Sequence, residues 1–87
     1  MIIENNTILA KGDNGLLYFI TEGTGDALFV EDIEDDYIDY IYYDIYETLE
    51  DYKEDNVYDG GCLLLKVEYN VELAIKEIEE FEKVKLS

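Results

Sequence analysis

The chain has 87 residues, of which 23 are aspartate or glutamate and six are lysine, so its formal net charge at pH 7 is -17. A surface this acidic repels phosphates and anionic lipid, and a chain without histidine or arginine lacks the usual groups for proton transfer and phosphate binding. Because 48% of the residues are hydrophobic and nine are tyrosines, the composition also argues against a disordered acidic tail.

The first third of the chain predicts an antiparallel meander. A strand at residues 7–11 is followed by a glycine-bearing turn at residues 12–15 and a second strand at residues 16–21. A further glycine-bearing turn precedes a third strand at residues 27–31, and residues 1–4 are interpreted as an extension of the first strand. Strands joined by two successive short turns are expected to pair with their neighbours.

The middle of the chain predicts a helix over residues 32–52. Apolar side chains there recur every three or four residues and would form one stripe about 100° wide. The stripe consists of Ile38, Ile41, Ile45, Leu49 and Tyr52. Isoleucine and tyrosine prefer strands, so intrinsic preference opposes this helix.

A strand is the alternative for the same segment. One face of that strand would carry Ile41, Tyr43 and Ile45, and the other would carry Tyr40, Tyr42, Asp44 and Tyr46. The two faces separate apolar from polar residues less cleanly than the helix does, and the segment is long for one strand. The helix is therefore the preferred interpretation.

The last third of the chain predicts a strand and a helix. Residues 62–69 are apolar in their first half, which is typical of a central strand, and Cys62 is expected to be a small buried residue. Asn70 is a suitable N-cap for a helix over residues 71–84. The buried stripe of this helix is expected to contain Val71, Ala74, Ile75, Ile78 and Phe81.

Together these elements predict an α+β fold for a single domain spanning residues 1–87. Their order is β-β-β-α-β-α, and an antiparallel sheet of about four strands would form one layer of a two-layer sandwich. Both helices would pack on the same face of the sheet. A chain of this length has room for a single core, so no second domain is expected.

Acids and tyrosines are concentrated together in residues 31–59. This segment holds thirteen of the 23 acids and seven of the nine tyrosines, with one lysine. On the predicted helix, the side opposite the apolar stripe carries the candidate partner-binding residues. They are Asp36, Asp39, Tyr40, Tyr43, Asp44, Glu47, Glu50, Asp51 and Glu54. Like charges one turn apart destabilise a helix by about 0.2–0.5 kcal/mol per pair, so this crowding is interpreted as functional.

The linear charge of the predicted helix is close to that of a nucleic-acid strand. Residues 36–54 contain seven acids and one lysine. Spread along about 27 Å of helix, they give about one net negative charge per 4.5 Å, against about one per 3.4 Å on a DNA strand. Tyrosine adds flat contact area and can accept a cation over its ring. The simpler alternative is a solvated face that has no partner.

The run Glu-Asp-Ile-Glu-Asp-Asp-Tyr-Ile-Asp-Tyr at residues 31–40 resembles the acidic faces of small phage proteins that mimic nucleic acid. That group includes anti-CRISPR proteins, anti-restriction proteins and inhibitors of uracil-DNA glycosylase. The resemblance covers residues 31–59. It implies a protein inhibitor, most specifically a phage anti-CRISPR protein, that occupies the basic groove of a nucleic-acid-processing enzyme such as a CRISPR effector.

Two further functions stay open at this point. An immunity protein that neutralises a nuclease toxin would need a similar acidic surface, and a housekeeping interaction module could use its acidity only for solubility. For the inhibitor and the immunity protein we expect a basic protein partner, and for none of the three functions do we expect direct contact with nucleic acid or membrane. The sequence is compatible with a monomer or a homodimer.

No enzyme activity, catalytic residue, cofactor or specific metal site is expected. The run at residues 55–60 is similar to the start of a calcium loop, but Val57 and Lys66 occupy positions that need an acid. The N-terminus has no basic region followed by an apolar stretch, so we expect no signal peptide. The expected location is the cytoplasm, which for a phage protein is that of the host cell.

Overall fold

A computed structural model of the protein describes residues 1–23 and 37–87. The elements in this part of the chain are β1 (Ile2–Glu4), β2 (Thr7–Lys11), β3 (Leu17–Glu22), β4 (Asp39–Tyr46), α1 (Leu49–Lys53), β5 (Asp59–Leu65) and α2 (Val71–Glu82). The strands form one antiparallel sheet in the order β1-β2-β3-β4-β5, so each strand pairs with its neighbours in chain order. The predicted α+β class and antiparallel sheet are confirmed. The predicted order of elements is wrong.

The helix predicted for residues 32–52 is wrong over Asp39–Tyr46, which forms strand β4 between β3 and β5. The alternative strand interpretation is confirmed there. Ile41, Tyr43 and Ile45 are buried in the core cluster on one face of the sheet, and the alternate residues of the strand point to the other face. The strand preference of isoleucine and tyrosine therefore outweighs the helical spacing. The strand predicted at residues 27–31 lies outside the described residues.

The N-terminal meander begins one strand earlier than predicted. Asn5 has a φ of 56°, a left-handed conformation that asparagine tolerates in tight hairpin turns. Glu4 is thereby paired directly with Thr7, and the Thr7 hydroxyl donates to the Glu4 carbonyl oxygen at 2.7 Å. Residues 1–4 consequently contribute the separate strand β1, which pairs with β2 and, within residues 1–23 and 37–87, with no other strand.

The core lies between the sheet and α2. Ile8, Ile20 and Tyr43 occupy one row across three strands, and α2 contributes Ala74 and Ile78, both fully buried. This helix begins as predicted, because the Asn70 side chain accepts a hydrogen bond from the backbone N–H of Leu73 at 2.9 Å.

The C-terminal end of α2 differs from the prediction. Phe81, expected in the buried stripe, is 62% exposed. Lys83 adopts a left-handed C-cap with a φ of 57°, which turns the chain back so that Val84 joins the core. Beyond it, Ser87 and Lys11 exchange two backbone hydrogen bonds of 2.9 Å, which fix the chain beside β2.

Strand β5 begins three residues before the predicted start and ends before Lys66. Within the described part of the chain it pairs with β4 alone and ends the sheet, where the sequence predicted a central strand. Leu63 and Leu65 pack on the core. Cys62 points to the opposite face and is exposed, which corrects the expectation of a buried residue.

The two helices lie against opposite faces of the sheet, which corrects their predicted position on one face. Tyr52 of α1 contacts Phe19 and Tyr46, at ring-centroid distances of 5.8 and 5.3 Å. Both partners alternate with core residues along their strands and so point away from α2.

The contrast between two side chains of α2 gives a test of this packing. We expect Ile78→Ala to lower the free energy of unfolding by about 2–5 kcal/mol, because it leaves a cavity in the core. Phe81→Ala, the matched control on the same helix, should change it by less than about 0.5 kcal/mol because that ring is already solvated. Urea denaturation of the two variants measures both values. Equal losses would show that the helix packs through a different face.

Candidate functional site

The predicted partner-binding residues do not share one face. Asp36 lies outside the described residues. Asp39 and Tyr43 lie on the side of β4 that faces α2, whereas Tyr40 and Asp44 lie on the opposite side. The remaining candidates, Glu47, Glu50, Asp51 and Glu54, lie in or beside α1. The predicted single charged helical face is therefore wrong, because β4 alternates its side chains between two faces.

Tyr43 and Tyr40 are buried and are removed from the candidate surface. Tyr43 is only 2% exposed within the core, and burial raises its pKa to about 12. Tyr40 is 7% exposed on the other face, where its ring lies against Gly23 so closely that a Cβ at that position would collide with it. Neither ring is available to a partner without rearrangement of the sheet.

Asp39 has a structural role. Its Oδ2 accepts a hydrogen bond from the backbone N–H of Tyr69 at 2.9 Å, which joins the start of β4 to the segment before α2. Glu22 forms a side-chain hydrogen bond with Asp39, and this bond is the main cause of the raised pKa of Glu22. Burial and the negative charge of Asp39 raise the pKa of Glu22 further. Two carboxyl groups that share a hydrogen bond need a proton between them, so this pair favours the protonated form of Glu22.

The exposed acids lie together at one end of the sheet, where β4 ends and β5 begins. This group, here called the acidic end, consists of Glu47, Glu50, Asp51, Glu54, Asp55 and Asp59. Asp51 is half-buried and the other five are exposed. Lys53 is the sole lysine in residues 47–59. In the described part of the chain, no salt bridge joins these carboxylates to a lysine. Their charge is therefore presented to solvent.

Local hydrogen bonds fix the backbone of the acidic end. The Thr48 hydroxyl caps α1 by accepting from the backbone N–H of Asp51 at 3.1 Å and donates to the Asp51 carboxylate at 2.9 Å. The Asn56 side chain donates to the other oxygen of Asp51 at 3.2 Å. Asp51 is thus a structural residue as well as a charge, a capping pattern that the sequence Thr48-x-x-Asp51 could have indicated.

An aromatic group holds α1 against the sheet. Tyr52 packs edge-on against Tyr46, with an interplanar angle of 85°, and lies next to Phe19. The Tyr46 hydroxyl donates to the Asp55 carboxylate at 3.1 Å, which connects the sheet to the loop after α1. Burial, followed by the Asp55 contact, raises the pKa of Tyr46 to about 12. These contacts give the acidic end a fixed position on the fold.

Asp44 is not a member of the acidic end and lies on the face of the sheet opposite α2. This face is here called the open face, and near Asp44 it consists of Phe19, Thr21, Tyr42, Asp44 and Tyr46. Asp44 is half-buried, and burial raises its pKa, with a further contribution from the charge of Asp55. A hydrogen bond with Tyr42 acts in the opposite direction and stabilises the carboxylate.

No family model matches the chain, and neither the curated proteins nor the solved structures include a significant match. Among residues 1–23 and 37–87, no group of three or more aspartate, glutamate, cysteine or histidine side chains is arranged to hold a metal ion. No helix within these residues has the length and apolar character needed to cross a bilayer.

The Glu22–Asp39 pair predicts a specific pH dependence of stability. Because the pKa of Glu22 is higher in the folded than in the unfolded chain, its stabilising contribution is complete below the unfolded pKa of about 4.3 and is lost as pH rises through the folded pKa. We expect Glu22→Gln to reduce the fall in unfolding free energy with rising pH, measured by urea denaturation at intervals from acid to neutral pH. Glu80→Gln, an exposed change on α2, is the control. Parallel pH profiles for wild type and Glu22→Gln would contradict the shared proton.

Proposed function

We propose that the protein is an inhibitor that binds the basic nucleic-acid groove of a nucleic-acid-processing enzyme and acts there as a nucleic-acid mimic. The observation that supports this most is the acidic end. It presents six carboxylates and one lysine in residues 47–59, and no salt bridge within the described residues neutralises the carboxylates. An uncompensated field of this kind attracts cationic clefts and accelerates encounter with them.

The fixed backbone of the acidic end supports mimicry as well as attraction. Phosphates in a nucleic acid have a regular spacing, so a protein that replaces them must hold its carboxylates in place. The Thr48 cap and the packing of Tyr52 on Tyr46 supply this restraint. Preorganised charges lose less conformational entropy on binding than charges on a flexible tail.

The shape of the acidic end narrows the kind of groove that would fit. α1 has five residues and is about 7.5 Å long, so the acids do not follow the 27 Å rod that the sequence suggested. They cluster around a short helix and its two connections. We therefore propose that the groove of the partner enzyme is a compact cationic cleft that holds a few consecutive phosphates. A long channel for a duplex would fit this surface less well.

Exposed tyrosine extends this surface. Tyr58 lies beside Asp59 and is 59% exposed. Its ring offers flat apolar area with a polar tip, a combination enriched at protein interfaces. A lysine or arginine from the groove can pair with a carboxylate and lie over such a ring.

Within this class, anti-CRISPR activity in the cytoplasm of an infected host is the specific form that we propose. Direct assays distinguish it from its nearest alternative. The protein is added to two sets of reactions, in which purified CRISPR effectors cleave their nucleic-acid targets or nuclease toxins cleave nucleic acid. The loss of cleavage is measured in each set. Inhibition of the first panel alone supports the anti-CRISPR form, and inhibition of the second alone supports an immunity protein.

Capture from a bacterial lysate tests the proposed class of partner. Immobilised protein should retain nucleic-acid-binding enzymes that are released by added duplex DNA or RNA and by raised salt, because competitor and salt act on the same cationic groove. Retained proteins that nucleic acid cannot displace would contradict groove binding. Recovery of no basic protein would favour the alternative of a housekeeping module whose acidity serves only solubility.

Charge-neutral variants then locate the interface on the retained enzyme. Replacing Glu47, Glu50 and Glu54 with glutamine should weaken binding at low salt by at least about tenfold, because it removes half of the acidic-end carboxylates. The control replaces Glu4, Glu72 and Glu80, three exposed acids elsewhere, with glutamine and has the same net charge. Isothermal titration calorimetry measures the affinity of each triple variant for the retained enzyme. Equal weakening by the two triple variants would show that only total charge matters.

A further inference from the structure

We infer that the open face around Asp44 is a binding site for one arginine side chain of the partner protein. This inference rests on the proposed function, which supplies a cationic partner, and it adds a defined contact to the general attraction of the acidic end. It is carried by the arrangement of aromatic rings around a carboxylate, by a glycine beside that carboxylate, and by the absence of a cation from its surroundings within the described residues.

Aromatic side chains surround Asp44 on three sides. Tyr42 and Tyr46 lie two residues before and after it on the same strand, and so point to the same face. Phe19 is its direct partner on β3. Tyr52 of α1 packs on Phe19 and Tyr46 and so closes the side towards the acidic end. The Asp44 carboxylate is therefore set among rings, and Tyr42, which is 48% exposed, borders the solvent.

A glycine leaves the fourth side of Asp44 uncovered. Gly60 is the direct partner of Asp44 on β5 and is exposed. A Cβ at this position would lie 3.1 Å from Asp44 Oδ1 and 2.7 Å from the carbonyl oxygen of Tyr43. Any larger residue would thus crowd the carboxylate from β5. The glycine keeps an approach to Asp44 open across the edge of the sheet.

The charge of Asp44 is only partly compensated. The Tyr42 hydroxyl contributes a hydrogen bond, but among residues 1–23 and 37–87 no lysine forms a salt bridge with Asp44. A partly desolvated carboxylate without a counter-ion is unfavourable, and an incoming cation would remove that penalty. The nearby charge of Asp55 increases the attraction for a cation at the same place.

The surroundings favour guanidinium over the other cations. A guanidinium is planar, stacks on aromatic faces and offers paired donors to a carboxylate, whereas an ammonium is compact and strongly hydrated. One carboxylate among rings also provides too few oxygen ligands for a divalent metal ion. A second copy of this chain is a poor occupant, because it contains no arginine and carries the same charge of -17.

Titration with a small arginine probe tests the site without the partner. N-acetyl-arginine amide is added to isotope-labelled protein, and backbone and side-chain NMR shifts are followed. We expect saturable shifts concentrated at Tyr42, Asp44 and Gly60, and weaker affinity for N-acetyl-lysine amide. Shifts spread over all exposed acids in proportion to their charge, equal affinity for the two probes, or no saturable binding would each overturn the inference.

Variants of two residues separate the site from general electrostatics. Asp44→Asn should weaken arginine binding by at least about tenfold, the loss expected for a charge-assisted contact. It should still fold, since burial already disfavours the charge at this position. Glu80→Gln removes one charge from an exposed position of α2 and should change the affinity by less than about twofold, because the attraction of a distant exposed charge is screened. Equal effects of the two variants would overturn the inference.

The outcomes also separate this inference from the proposed function. If the probe binds at Asp44 but no groove-containing enzyme is captured, the arginine site stands and the proposed function fails. If an enzyme is captured through the acidic end and Asp44→Asn binds it as tightly as wild type does, the proposed function stands and the arginine site fails.

Discussion

The placement of every other feature depends on strand β4. It pairs with β3 on one side and with β5 on the other, and it packs side chains on both faces of the sheet. One set of alternate residues, with Tyr43 at its centre, completes the core beneath α2. The other set places Asp44 and its flanking tyrosines on the open face. A one-residue shift in register would exchange these two sets, so the same pairing that builds the core also determines which acid of β4 lies on the open face.

A chain with a net charge of -17 needs a core large enough to offset its self-repulsion. Tyrosine provides much of that core, because each ring buries a large area while its hydroxyl reaches a polar partner. The Tyr18 hydroxyl lies 2.9 Å from the Asn14 side chain, and the Tyr69 hydroxyl donates to the carbonyl oxygen of Asn6 at 2.6 Å. Within the described residues, no buried side-chain nitrogen or oxygen lacks a partner. The charges can therefore remain at the surface without polar defects inside.

The sequence predicted the elements whose local signals agree with one another. Strand β2 and the N-cap Asn70 have turn and capping chemistry that matches their hydrophobic pattern. β4 was missed because Ile41 and Ile45 are four residues apart, a spacing that fits both a helix of period 3.6 and a strand of period 2. The candidate site was consequently only partly predictable. The position of the acids in and beside α1 could be predicted from the sequence near Thr48. The position of Asp44 among aromatic rings could not, because it depends on pairing with Phe19 and Gly60, which are distant in the chain.

The acidic end and the open face are continuous, because Asp55 links them. Its carboxylate accepts from the Tyr46 hydroxyl, and its charge also acts on Asp44. The two surfaces would contribute differently to the proposed complex. Exposed carboxylates act over a distance and are screened by salt, so they govern the rate of encounter. A desolvated contact at Asp44 would act only after docking and would slow dissociation. An inhibitor that competes with nucleic acid needs both properties, since it must reach an occupied groove quickly and then remain there.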